Sequence, residues 1–286
     1  YFSTLKMNSI GHLIFNPIRF FNSYKETRKI IILIDKSKLV NKAAYDIIKY
    51  HYKSKNIIFI ESPLLLFFYR RFIILSKFFP FLNYFINNIE TYHNRHSSKK
   101  KWKEYYSFPK LKYGGPAYSE YDALDLKDKP AFKVLNYFED YFKKWKIKNG
   151  LSNCDFVLFF SRDGGYYSER NENPRNSNFK NLHKSIDFLI KKKIKVVRIG
   201  RDPKSTYHNS SKYFFDYSSE FKNKYDDIAE IMMFKQCKFI VSQTSGINSP
   251  QWFFDKKILL YDWFPIGIRP PFNNSIYIPK KYKKNN

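Results

Sequence analysis

The chain is poor in cysteine and lacks the common nucleotide-binding and nucleophile signatures. Cys154 and Cys237 are the only thiols. Both sit in apolar stretches, so they read as buried thiols of a reducing compartment and exclude a disulfide framework. No GxxxxGK[ST] stretch occurs, which removes a P-loop, and no GxGxxG follows a strand, which removes the dinucleotide fingerprint. A GxSxG nucleophile elbow is missing. So is any DxD, and with it the metal-bound diphosphate chemistry that such a pair of acids supports. His93 and His96 are three apart but have no acidic or cysteine ligand at metal-site spacing, so no metal is expected. The start at Tyr1 shows no signal-peptide pattern and enters patterned sequence at once, as a chain trimmed at its start would.

Acidic residues are also short, 25 against 52 Lys and Arg, leaving a net charge of +27. Such a balance invites a nucleic acid or an anionic membrane. Lys, Asn, Ile, Phe and Tyr are abundant together, however, which AT-rich codon usage explains, and no RNA- or DNA-binding signature appears. No specific nucleic-acid partner is expected. Phosphates and acidic lipid headgroups are still attracted to so basic a surface. With 286 residues, 43% of them hydrophobic, the chain is globular and long enough for two domains.

The pattern along the chain is α/β. In the first half, a Gly-His turn (Gly11, His12) precedes an amphipathic segment, and strands at 29–35 and 56–62 flank a helix at 40–52. That is a βαβ unit with parallel strands. Residues 64–86 are the most apolar stretch and approach the length of a membrane span. Arg70, Arg71 and Lys77 interrupt its middle and Pro80 breaks it, which disfavours a spanning helix. A buried helix pair is the leading reading, and an interfacial segment with its cations at headgroup level is the alternative. Residues 91–130 are polar and irregular; 130–148 form an amphipathic helix with Pro130 in its first turn, stopped by Asn149-Gly150. From 155 on, strands and helices alternate again, predicting two doubly wound domains, 1–149 and 150–286.

Three strand ends of the second half are alike in mixing cations, hydroxyls and glycines, namely SRDGGYY (161–167), VRIGRDP (197–203) and SQTSGINSP (242–250). In open α/β sheets ligands sit outside the carboxyl ends of strands. Gly164 and Gly165 allow close approach of a ligand, or simply make a turn. Ser242, Thr244, Ser245 and Gly246 offer hydroxyls and backbone N–H groups at a helix start, where a phosphate fits or where Ser245 merely caps the helix. Arg162 and Arg201 add planar charge to the same anion. Together the three ends suit a diphosphate, with Gly200 at the second of them.

These stretches, with IGHL (10–13), PRNSNFKN (174–181), FFDYSS (214–219) and SIYIPKKY (275–282), resemble an uncharacterised family of bacterial glycosyltransferases found among surface-polysaccharide genes. More distantly the strand ends are similar to those of the fucosyltransferase superfamily, also of the two-Rossmann type. The resemblance implies two Rossmann-like domains facing a cleft, the GT-B architecture, with an acceptor-side first domain and a nucleotide-sugar-binding second. It implies a nucleotide-sugar donor, a glycan or lipid-linked acceptor, no cofactor and no metal. The cysteine usage suits a cytoplasmic protein, and the basic charge with the apolar stretch 64–86 allows a peripheral place at the inner face of the cytoplasmic membrane, with an anionic membrane surface as a further partner. By position, Arg162 takes the phosphate-binding role, with Thr244, Ser245 and Gly246 as the turn. The superfamily has a His two residues before that Arg, where this chain has Phe160. Asp163 is either a general base or a partner orienting Arg162, with orientation favoured. His12 is a candidate base facing the cleft or a structural histidine. Tyr167, Arg175 and Asn176 belong to a loop that closes over the donor or caps the next helix. The competing readings are a non-catalytic polyanion- or membrane-binding module and a degenerate nucleotide-binding homologue.

Overall fold

The computed structural model describes residues 1–23, 29–86, 131–152, 154–166, 173, 175–264, 270, 272 and 274–281. Among the described residues the chain divides between Val134 and Leu135 into two compact units. His93, His96 and Tyr167 lie outside the described residues.

The first unit holds β1 (Phe2–Thr4), α1 (Ile10–Ser23), β2 (Ile30–Ile34), α2 (Lys42–Tyr52), β3 (Ile57–Glu61) and α3 (Pro63–Leu75). The strands lie in the order β1-β2-β3, all parallel, with Ile31 opposite Phe2 and Ile58. The run IIILI makes β2 central because branched side chains suit a strand covered on both faces. Asn41 starts α2 by accepting the Ala44 N–H at 2.8 Å, and Ala44, Ile47 and Ile48 of that helix are fully buried. The helix α1 begins at Ile10, so Gly11 and His12 sit in its first turn rather than in a turn before it.

Most of the apolar stretch 64–86 is exposed, contrary to the leading expectation. Ser62 caps α3 through the Leu65 N–H, and Pro63 occupies the first turn, where its missing N–H costs nothing. Of α3 only Leu66 and Tyr69 are buried, and Tyr69 donates to the Phe2 carbonyl at 3.1 Å. A 3-10 turn follows at Pro80–Phe85.

The second unit holds α4 (Asn136–Lys148), β4 (Phe156–Phe159), α5 (His183–Lys191), β5 (Lys195–Arg198), β6 (Phe214–Asp216), α6 (Tyr217–Glu220), α7 (Asp227–Gln236), β7 (Phe239–Ser242), α8 (Gln251–Phe254), β8 (Lys257–Trp263) and β9 (Ser275–Pro279). All six strands are parallel, in the order β6-β5-β4-β7-β8-β9. Counted from β4, that is 3-2-1-4-5-6, the order of a dinucleotide-binding sheet. The order reverses between β4 and β7, so the crevice expected at a topological switch lies at their carboxyl ends. Val157, Phe159, Phe179, Ile186, Val196 and Val241 form the core beneath it.

The helix α4 belongs to the second unit, although the sequence pattern places the boundary after residue 149. Phe138 and Phe142 are fully buried; Trp145 stacks on Phe142 and meets Phe215 and Tyr217 edge-on. Polar contacts fix it to α7: Glu139 pairs with Lys235 and accepts from Gln236, and Tyr141 donates to Asp226. The helix starts at Asn136 rather than near Pro130 because Phe132 is claimed by the first unit, packing on His51 and Tyr52. The thiols differ: Cys237 is buried, and that burial pushes it up to about 12, whereas Cys154 is half-buried.

Two outcomes are expected. Replacing Phe142 by Ala should lower stability by about 3–5 kcal/mol in urea unfolding, since a whole buried ring is lost. In the first unit, burial alone would raise the Glu61 carboxyl, but hydrogen bonds from Lys49, Lys36 and Tyr45 hold it at about 2, against an ordinary 4.5. A depressed carboxyl stabilises the fold above 4.5 and loses that contribution as pH falls toward 2. Glu61→Gln should therefore flatten the acid limb of stability against pH, with an effect at pH 7 of at most about 1 kcal/mol for so exposed a group.

Candidate functional site

The β4 strand leaves the sheet at Phe160, whose N–H donates to the Val241 carbonyl at 2.9 Å and whose carbonyl accepts the Tyr261 hydroxyl. The Phe160 side chain packs against the end of the neighbouring β5 strand. Its ring fills the space where a side chain on Gly200 would stand, 3.2 Å from an added Cβ. Gly200 is also held at φ +130°, a backbone shape few other residues adopt. Its glycine is thus explained by packing.

Arg162 comes next and is almost fully buried. Its N–H donates to Gln243 Oε1 at 2.7 Å, its Nε to Asn176 Oδ1 at 3.2 Å, and its carbonyl accepts the Ser177 N–H at 2.8 Å. Gln243 follows β7, so the β4 and β7 ends are joined across the switch point by this side chain. Lys280, just beyond β9, donates to the Asn176 carbonyl. Arg162 and Asn176 are thereby brought together. Arg175 lies beside them, its N–H donating to Asn173 Oδ1 at 3.0 Å.

Two amide donors around Arg162 are left over. Gln243 is completely buried and spends its carbonyl oxygen on Arg162 and on the Ser161 hydroxyl, while its Nε2 has no partner among the described residues. The Asn176 Nδ2 is in the same state. A buried donor without an acceptor costs about 1–3 kcal/mol, so such a pair is a feature to be explained.

Asp163 serves neither role foreseen for it. Its Oδ1 accepts the Gly165 N–H at 3.1 Å, and its Oδ2 accepts the Lys204 and Ser205 N–H groups and the Ser205 hydroxyl, at 2.7–3.0 Å. With four donors on it, this carboxylate is a clamp holding the loop after β5. Gly164 turns at φ +78°, and Gly165 passes so close to that loop that a Cβ would stand 1.9 Å from the Asp202 carbonyl oxygen. The two glycines after Arg-Asp thus make the turn and admit the neighbouring loop.

The loop is gripped from the other side by Arg198, which the sequence pattern did not single out. Arg198 donates to Asp216 at 3.1 Å and to the Ser205 carbonyl at 2.7 Å, with its guanidinium 4.0 Å from the Phe179 ring centroid. The available signal was an Arg closing a buried strand, where only a partnered cation is tolerated. Arg201, expected on the diphosphate, is committed elsewhere. It makes a two-pronged bond to Glu230, at 2.9 and 2.5 Å, and reaches Asp227 at 3.4 Å, both in the first turn of α7. Burial alone would lower its pKa, but Glu230 and Asp227 hold the guanidinium above its ordinary value. Acids at the start of a helix complement its dipole, so Arg201 completes a structural network.

At the β7 end the serine-rich turn divides into tied and untied groups. The Ser242 hydroxyl donates to Asn248 at 2.6 Å, and the Asn248 amide donates to the Gln243 carbonyl at 2.6 Å, locking the turn from beneath. Thr244 exchanges hydrogen bonds with the Phe264 backbone, donating at 2.6 Å and accepting at 3.2 Å. Neither hydroxyl is offered to a ligand. Ser245 occupies the cap position before Gly246–Asn248 but makes no side-chain cap bond, and Gly246 is exposed. In the first unit, His12 Nδ1 faces Asn16 Oδ1 at 3.5 Å. Among the described residues no three His, Cys, Asp or Glu side chains come together as a metal site would require.

Gly165→Ala tests whether the close approach shapes the site. A methyl group at 1.9 Å from a carbonyl oxygen must push the 202–205 loop off the Asp163 clamp. The expected loss in urea unfolding is above about 2 kcal/mol; a neutral substitution would show that the loop does not lean on Gly165.

No family model matches the chain, and no curated protein matches it. Among solved structures, a glycosyl transferase family 9 protein from Veillonella parvula DSM 2008 superposes with a TM-score of 0.56 over 99% of this chain and 88% of its own, at 10% identity. The E. coli heptosyltransferase WaaC with ADP-2-deoxy-2-fluoro heptose covers 97% of this chain and 92% of its own, at 11% identity and a TM-score of 0.44. At 10% identity the first likeness is one of fold. It agrees with the parallel sheets described above: the chain is α/β, with two Rossmann-like units of the GT-B type.

Proposed function

We propose that the chain is a glycosyltransferase that moves a sugar from a nucleoside-diphosphate donor to a glycan or lipid-linked acceptor in bacterial surface-polysaccharide synthesis. One observation carries this reading: at the switch point of the second sheet, the held Arg162 is flanked by two amide donors that lack acceptors among the described residues. Donors of this kind suit acceptor oxygens; Trp145 Nε1 is unpartnered among the described residues too, but it lies among the aromatic rings that hold α4. A diphosphate supplies such oxygens, and a crevice at this place in the sheet is where a nucleotide binds. The likeness of the strand ends to the fucosyltransferase superfamily, read from residues alone, points the same way.

In the reaction, the bond between the anomeric carbon and the donor's phosphate oxygen breaks as the acceptor hydroxyl oxygen attacks that carbon. The acceptor proton leaves to a general base. Negative charge grows on the departing diphosphate. Arg162 meets it with a fixed guanidinium, while Ser245 and the Gly246 N–H add hydrogen bonds; such preorganised donors are worth most where water is excluded. Asn176 holds the Arg162 side chain, Gln243 holds its backbone, and Asp163 keeps the adjoining loop in place. No metal and no cofactor is assigned a part. The enzyme works as a peripheral protein at the inner face of the cytoplasmic membrane, where such acceptors are displayed. A non-catalytic membrane-surface module is the second reading, favoured by the exposed apolar side chains of α3.

Thermal unfolding with ADP, GDP, UDP, CMP and their sugars, with and without a divalent metal, tests the reading. A ligand at one hundred times its dissociation constant adds about 2.7 kcal/mol of apparent stability. One nucleoside diphosphate should raise the midpoint by several degrees without metal, and Arg162→Ala should abolish the shift while the variant still folds. No shift with any of them would overturn the proposal.

A further inference from the structure

The side chains from Leu64 to Phe85 are arranged against the usual economy of a protein surface. Eleven large apolar side chains in this stretch are exposed, more than half of all such residues described, with Phe78 at 74% and Phe81 at 68%. Aromatic side chains carry about 150–250 Å² each, so the apolar area presented is on the order of 1,000 Å². The largest patch on an ordinary monomer is about 300–600 Å². Contiguity follows from the helix: Leu66 and Tyr69 mark its buried seam, while Leu64, Phe67, Phe68 and Leu75 face outward, and the 3-10 turn at Pro80–Phe85 extends the surface.

Charge decides what covers it. No Asp or Glu occurs between residues 62 and 86, whereas Arg70, Arg71 and Lys77 are all exposed there. The Arg71 guanidinium lies 5.1 Å from the Phe67 ring centroid, a cation seated on an apolar platform. A partner made for this surface therefore presents hydrocarbon rimmed by anions. The helix has 13 residues. At about 1.5 Å per residue it is roughly 20 Å long, short of the ~30 Å hydrocarbon core, so it lies in the interface and does not cross. Among the described residues no helix is long and apolar enough to span a membrane.

We infer that α3 and the following 3-10 turn form a docking surface for an anionic lipid bilayer, with Phe67, Phe68, Phe78 and Phe81 entering the acyl boundary and Arg70, Arg71 and Lys77 at the headgroups. The inference deepens the peripheral-membrane part of the function proposed above and is independent of the transfer chemistry, because docking is read without any donor.

Flotation of the full chain with phosphatidylcholine vesicles, with and without about 30% phosphatidylglycerol, tests it. The protein should float with the anionic vesicles and much less with neutral ones, and added salt should weaken binding. Phe78→Ser with Phe81→Ser should cut binding at least tenfold. Arg70→Gln with Arg71→Gln should do the same, since each cation near an anionic surface contributes about fivefold. All four positions are solvent-exposed, so both variants should keep the parent's circular dichroism and melting midpoint. Failure of the parent to bind overturns the inference. So does unchanged binding by both variants, which would place the contact on basic residues elsewhere. Dimerisation through this face without vesicle binding, seen by light scattering, overturns it in favour of a second copy. Donor-induced thermal shifts are unaffected by any of these outcomes, so the two proposals fail separately.

Discussion

Everything at the switch point hangs on the hydrogen bond from the Arg162 N–H to Gln243 Oε1. One fully buried side chain from the end of β7 fixes the backbone at the end of β4, so the two strand ends that diverge in a sheet of this order are held at a set spacing. Arg162 can then be almost entirely buried, because its backbone and its side chain are both anchored before any ligand arrives. A guanidinium fixed in this way loses little freedom on binding an anion, which is how preorganised charge acts in catalysis. The cost is visible in the same side chain: with its oxygen committed, the Gln243 amide nitrogen has no acceptor among the described residues.

Around that bond the neighbouring loops are arranged by exclusion as much as by attraction. Gly165 has no side chain because the Asp202 carbonyl occupies the space one would need. Asp163 and Arg198 then hold Ser205 from two sides, one by accepting its N–H and hydroxyl, the other by donating to its carbonyl. An anion and a cation from the ends of different strands thus share one loop residue, and their hydrogen-bonding atoms are committed to the fold. Arg162 is held at the β4 end by Gln243 on its backbone, Asn176 on its side chain and the Ser177 N–H on its carbonyl.

Much of this was legible in the sequence. Apolar runs such as FVLF and IIILI predicted strands covered on both faces, and alternation with amphipathic helices predicted the parallel sheets. That Arg162 and the QTSG turn follow neighbouring strands was foreseeable from where such sheets end; that Asn176 folds back onto Arg162 was not. What sequence could not supply was which polar group is spent on the fold. Arg201 and Arg162 look alike in a string, each an Arg followed by Asp at a strand end. Only packing shows that Asp227 and Glu230, on a helix well downstream, take Arg201. Ser242 and Thr244 were indistinguishable from Ser245 for the same reason, since their partners Asn248 and Phe264 are set by the turn's geometry. The stretch 64–86 was misjudged because an apolar composition says nothing of which side chains find a core. The same three cations that argued against a membrane span suit a helix lying along a surface.

Amide hydrogen exchange across the second unit, with and without the nucleoside diphosphates ADP, GDP and UDP, tests the diphosphate site at the switch point. One of them should slow exchange together in residues 161–165 and 244–247, the two strand ends bridged by Gln243. Protection confined to other parts of the chain, or none with any nucleotide, would contradict a diphosphate site at the β4–β7 switch point.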